Sequence, residues 1–257
     1  MSELRTYPNP NALARAAAEL FVTLASEAIA SRGRFAVALS GGSTPKAMHT
    51  NLSSPEFVSR VDWARVHIFW GDERCVPPDH EHSSYRMAKE TLLDRAPIPP
   101  GNVHRIRGEA DPEQAAREYE DELRAFFGQP RGGRPQGGQP QGAAPTFDLI
   151  FLGMGDDGHT ASIFPGTTAI HEQARWVMAQ EHNFPPPPLV SRITFTPPIL
   201  NAAANVVVLV TGAGKAGRLK QVLYGSYQPD ILPAQIVKPA HGKLVWMVDE
   251  AATELDD

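Results

Sequence analysis

The stretch with the most chemical content is GMGDDGHTASIFPG, residues 153–166. His159 follows Asp157 by two positions, and Gly153, Gly155 and Gly158 surround the pair. A carboxylate that close can accept a hydrogen bond from one ring nitrogen, fix the tautomer and leave the other nitrogen as a base. An isolated histidine would read as a cap or a core residue; the glycine-rich setting and the neighbouring carboxylate favour chemistry. No G-x-S-x-G elbow is present and no cysteine adjoins the histidine, so attack by water that His159 activates is the simplest route.

Three further places carry suitable side chains. In SGGSTPKAMH (40–49), Gly41 and Gly42 allow close backbone approach, and Pro45 reads as setting a helix start. Ser43 and Thr44 add hydroxyls at the positive end of that helix, which suits a phosphate or a carboxylate; the alternative is a tight turn with an ordinary cap. The loop is neither a P-loop nor a dinucleotide fingerprint. In WGDERCVPPDHEHSSY (70–85), Asp72, Glu73 and Arg74 crowd three charges into a strand end, as solvated loops also do. His80 and His82 flank Glu81 without the spacing of a metal site, so no metal is expected. Lys215 stands at a helix start, where a cation opposes the macrodipole unless an anion is bound. Arg192 opens RITFT, and taken alone it reads equally well as half of a structural ion pair.

The elements that must position these residues alternate. Asn9 and Pro10 predict a helix that runs to Gly33, followed by a strand in FAVAL (35–39) and a helix from Pro45 to Leu52. RVHIFW (65–70) predicts a strand, SYRMAKETLL (84–93) a helix, and Asp111–Pro112 opens a helix to Phe127. FDLIFLGMG (147–155), RITFT (192–196), NVVVLVTG (205–212) and KLVWMVD (243–249) predict strands, with a short helix in PPILNAA and another from Lys215 to Tyr224. Apolar strands leading through glycine turns into helices predict an α/β fold: one domain over residues 1–257, with a mostly parallel twisted sheet flanked by helices. Ligands bind outside the carboxyl ends of such strands, where the 40–49, 70–85 and 153–166 loops and Lys215 lie. Residues 128–145, GQPRGGRPQGGQPQGAAP, hold no large apolar side chain and are expected to be a flexible surface insertion.

Composition narrows the class. The 257 residues carry a formal net charge of −5, which gives no basic footprint for nucleic acid. The lone cysteine, Cys75, permits no internal disulfide and fits a reducing compartment. The amino-terminal residues lack a signal-peptide pattern, and no apolar run reaches membrane-spanning length. A cytoplasmic protein with no membrane or nucleic-acid partner is expected, a monomer or at most a weak homodimer.

With these loops in order, the chain closely resembles the 6-phosphogluconolactonases. The matching stretches are LSGGSTP (39–45), WGDER (70–74) with SSY (83–85), DLIFLGMGDDGHTASIFPG (148–166), RITFT (192–196) and TGAGKA (211–216). The resemblance implies hydrolysis of 6-phospho-D-glucono-1,5-lactone in the pentose phosphate pathway without a cofactor. It implies His159 as general base and Asp157 as its orienting partner. Arg192 and Lys215 would hold the phosphate, with Gly42, Ser43 and Thr44 lining the site, Arg74 assisting and Asp72 at the mouth of the sugar pocket. The insertion and PPPP at 185–188 depart from the family pattern. Two alternatives stand beside this one. Glucosamine-6-phosphate deaminases share the fold but carry a glutamate shortly after D-G-H, where this chain has Phe164–Pro165. A non-catalytic sugar-phosphate sensor would have no evident use for the Asp157–His159 pair.

Overall fold

The computed structural model describes residues 2–128, 146–185 and 187–254. Nine strands occur among them. They are β1 (Ser2–Tyr7), β2 (Phe35–Leu39), β3 (Val66–Trp70), β4 (Asp72–Arg74), β5 (Leu149–Gly153), β6 (Val177–Gln180), β7 (Arg192–Phe195), β8 (Asn205–Val210) and β9 (Lys243–Asp249). The helices are α1 (Pro10–Arg32), α2 (Ser43–Leu52), α3 (Pro55–Val58), α4 (Ser84–Ala88), α5 (Pro112–Gly128), α6 (Pro197–Ala202) and α7 (Ala216–Tyr224), with short 3-10 turns between.

Six strands form one sheet in the order β1-β9-β8-β5-β2-β3, with every neighbouring pair parallel. Its central strands are apolar because both faces are covered: all of β2, the Leu-Ile-Phe-Leu run of β5 and the Val-Val-Val-Leu-Val run of β8 are buried. From β2 the chain adds β3 on one side, and from β5 it adds β8 and β9 on the other. The strand order therefore reverses between β2 and β5, and the carboxyl ends at such a reversal are where sheets of this kind bind ligands. The register there is pinned by buried Asp148, which accepts the Ala36 N–H at 2.8 Å and pairs with Arg32.

Helix ends follow the local chemistry. The Asn9 side chain accepts the Ala12 N–H at 3.0 Å, and Gly33 closes α1 in the left-handed conformation (φ 76°). Asp111 accepts the Gln114 N–H at 2.9 Å at the start of α5. Helix α2 begins at Ser43, two residues before the expected proline start, so the hydroxyls of Ser43 and Thr44 lie within its first turn. The 84–93 segment is helical throughout, but Lys89–Leu93 is π-helical.

RITFT corrects the sequence expectation. It forms β7 in a separate antiparallel sheet, β4-β7-β6, which α5 packs against. Gly71 joins the two sheets: its N–H reaches Leu39 O at 2.9 Å and its carbonyl accepts the Phe195 N–H at 2.8 Å. The Gly/Pro/Gln-rich stretch lies outside the described residues except for Gly128, which ends α5. Among the described residues no helix is long and apolar enough to cross a membrane.

Candidate active site

The loop after β5 turns tightly on itself. Gly155 donates to His159 O at 2.9 Å, Gly158 donates to Gly155 O at 3.0 Å, and Gly158 takes a φ of 86°. A β-carbon on Gly155 would collide with the His159 ring, so only glycine leaves room for it there. Asp157 Oδ1 lies 2.6 Å from His159 Nδ1 and also accepts the His159 backbone N–H at 3.0 Å. A carboxylate at that distance assigns the ring proton to Nδ1 and leaves Nε2 as the acceptor. Burial pushes the Asp157 carboxyl up, but hydrogen bonding and charge from His159 outweigh it, so its pKa falls below the ordinary 3.8. Phe164 packs on the ring at 4.5 Å between centroids, which leaves the histidine side chain only 20% exposed.

The loop after β3 divides its charges. Buried Glu73 accepts four hydrogen bonds of 2.8–3.0 Å, from the N–H groups of Arg74, Ser84 and Tyr85 and from the Ser83 hydroxyl. It therefore ties β4 to the start of α4 and explains why WGDER and SSY occur together. Asp72, also buried, accepts the Ser162 hydroxyl at 2.6 Å, and the Ser162 N–H reaches the Thr194 hydroxyl at 3.1 Å. That chain links the histidine loop to β4 and β7. Arg74 donates to His82 O at 2.7 Å, and its Nη1 comes close to Gly41 beside the Ser84 hydroxyl. A side chain at Gly41 would strike Ser84, so this glycine brings the 40–44 loop against the arginine.

Arg74 and Arg192 are direct partners across β4 and β7. Like charges opposite each other across a strand pair repel, so this pairing costs stability unless negative charge lies nearby. Burial lowers the Arg192 guanidinium to about 10, with the charge of Arg74 adding to the effect; it stays protonated at neutral pH. Its Nη2 donates to Pro188 O at 2.9 Å, so the proline run before β7 supports this side chain. Its buried Nη1 finds no acceptor among the described residues.

Lys215 precedes α7 and resolves its conflict with the helix dipole locally. Its Nζ donates to Met154 O at 2.9 Å and pairs with Asp156 Oδ1 at 2.6 Å. Thr44 and Thr211 share a 2.9 Å hydroxyl contact that joins the loops after β2 and β8. These contacts link the segments bearing Gly42, Ser43, Thr44, Asp72, Arg74, Asp157, His159, Arg192 and Lys215 beside the point where the strand order reverses. Sequence reasoning missed Ser84, Asp156, Ser162 and Thr211. All four lie in the stretches that carry the family resemblance, SSY, 148–166 and TGAGKA, but nothing in their residue types singled them out. Cys75 is no rival nucleophile, because burial pushes its thiol up to about 11.

Comparison with known proteins gives concordant results. The family model described as glucosamine-6-phosphate isomerases/6-phosphogluconolactonase matches residues 8–246. A 6-phosphogluconolactonase of Synechocystis sp. is 41% identical over 233 residues, covering 90% of this chain and 89% of the relative. A probable chloroplastic 6-phosphogluconolactonase 3 of Oryza sativa is 40% identical over 244 residues, covering 95% and 72%. The solved 6-phosphogluconolactonase from Trypanosoma brucei superposes with a TM-score of 0.85 at 28% identity, over 98% of this chain and 97% of that one.

Proposed function

The chain belongs to the glucosamine-6-phosphate isomerase/6-phosphogluconolactonase family, and on that premise we propose that it hydrolyses 6-phospho-D-glucono-1,5-lactone to 6-phospho-D-gluconate, with His159 as general base. The observation that carries the proposal is the 2.6 Å contact from Asp157 to His159 Nδ1, which leaves Nε2 to accept a proton. The phosphate is held by Arg192, Lys215 and the Gly42–Ser43–Thr44 turn at the start of α2. We assign the mouth of the sugar pocket to Asp72, a reading supported by the Ser162 hydroxyl that holds it at 2.6 Å.

His159 Nε2 takes a proton from water as its oxygen attacks the lactone carbonyl. The carbonyl π electrons move onto oxygen, where Arg74 stabilises the developing charge. Collapse of the tetrahedral intermediate breaks the bond to the ring oxygen, which leaves with the proton that His159 returns. Asp157 stays ionised throughout and stabilises the transient imidazolium.

The deaminase reading is disfavoured by Phe164. An apolar ring packs on His159 where the deaminases are expected to carry a glutamate. The proposal extends to the cytoplasm, a reducing compartment that the single cysteine fits, and to a monomer or at most a weak homodimer.

The test is hydrolysis of freshly generated 6-phosphogluconolactone, with spontaneous opening subtracted, alongside ammonia release from glucosamine 6-phosphate. Catalysed lactone opening is expected, and His159→Ala should lower kcat by roughly 10²–10⁴-fold. Ammonia release without lactone opening, or a His159→Ala protein with near wild-type kcat, would overturn the proposal.

A further inference from the structure

Asp156 adjoins the carboxylate that orients His159, yet it takes no part in holding the ring. Its Oδ1 lies 2.6 Å from Lys215 Nζ, and its side chain is 85% exposed while that of Lys215 is 24% exposed. The ammonium does not depend on this pair for its position, because Nζ is tethered to Met154 O at 2.9 Å. The backbone beneath Asp156 is fixed as well. Its carbonyl accepts Arg218 Nε at 3.1 Å, and the Gly155–Gly158 and Gly155–His159 hydrogen bonds close the turn around it. The carboxylate is thus the solvent-exposed, least constrained partner of an otherwise tethered cation.

Taking Lys215 as a phosphate-binding residue, as proposed above, we infer that Asp156 is a specificity-determining residue that competes with the substrate phosphate for Lys215. A phosphate dianion displaces the aspartate, which hydrates at little cost because it is already exposed. A singly charged carboxylate offers the ammonium nothing that Asp156 does not already supply. The competition therefore favours phosphate esters over sugar acids at this end of the site. An exposed pair of this kind is worth at most about 1 kcal/mol, so the competition amounts to roughly two- to fivefold in apparent affinity.

Asp156→Asn should lower KM for 6-phosphogluconolactone, and the competitive inhibition constant of inorganic phosphate, by about two- to fivefold with kcat unchanged. In a Lys215→Ala background the same substitution should leave KM where it stands. A raised KM for Asp156→Asn would make Asp156 a positioning partner of Lys215, and an unchanged KM would leave it no role in binding; either would overturn the inference. So would an equal fall in the Lys215→Ala background, which would mean general charge repulsion. Lys215→Ala alone should raise KM strongly; if it does not, the phosphate assignment itself fails, whatever Asp156 does.

Discussion

Two turns of this molecule each set adjacent acidic residues at the carboxyl end of a parallel strand, and they use them in opposite ways. After β3, Glu73 is wholly engaged with its own chain: both oxygens are filled by donors that anchor α4. After β5, Asp157 spends one oxygen on the His159 ring and the histidine N–H. In sequence, D-E and D-D look alike. What separates them is the donors that folding delivers: backbone N–H groups of a helix start in one turn, an imidazole in the other. Burial pushes Glu73 above the ordinary carboxylate value, against the pull of its four donors, whereas His159 draws Asp157 below it.

The largest expected effect that sharpens this contrast is on rate. Asp157→Asn should reduce kcat by roughly 10²–10⁴-fold through loss of the correct tautomer, with stability changed by about 1 kcal/mol or less. Steady-state kinetics beside urea titration would separate the two, and a large stability loss would place Asp157 with Glu73.

Glu73→Gln should do the reverse. Each Glu73 oxygen meets two donors, so an amide must turn its NH₂ against donors whichever way it is flipped. A loss of about 2–4 kcal/mol is expected from the urea midpoint. Wild-type stability would show that the cap is dispensable.

The smallest effect is in the pH dependence of those stability differences. Asp157 contributes stability that is present above its unfolded value and lost as pH falls through its lowered folded value. The gap between wild type and Asp157→Asn should therefore narrow on acidification below about 3.8. A gap that stayed constant through this range would mean that the His159 contact does not hold the Asp157 carboxyl below its unfolded value.

The sequence showed the central sheet because its strands are uninterrupted apolar runs, which only burial on both faces explains. It did not show β1, whose Ser-Glu-Leu-Arg-Thr-Tyr sequence lies at an exposed edge and needs little apolar surface. Nor did it show β4, where Asp-Glu-Arg is strand only because β7 pairs with it. RITFT was legible as a strand but not as a member of a second sheet, since pairing partners are not written in a local pattern. The site follows the same rule. Asp157 and His159 meet within one turn and could be read directly. Ser162 reaches Asp72 across 90 positions, and Thr211 reaches Thr44 across 167, so only the fold reveals them.

The site loops leave the carboxyl ends of their strands, while the stretch between Gly128 and Thr146 feeds into β5 at its amino end. Phe127 and Phe147, stacked edge to face 4.9 Å apart, close that junction as a seam. The architecture therefore separates the place where the chain is spliced from the turns that carry the site residues. A change of chain length at that seam would leave the turn carrying Asp157 and His159 unaltered, so an engineer wishing to append a module would find an address there.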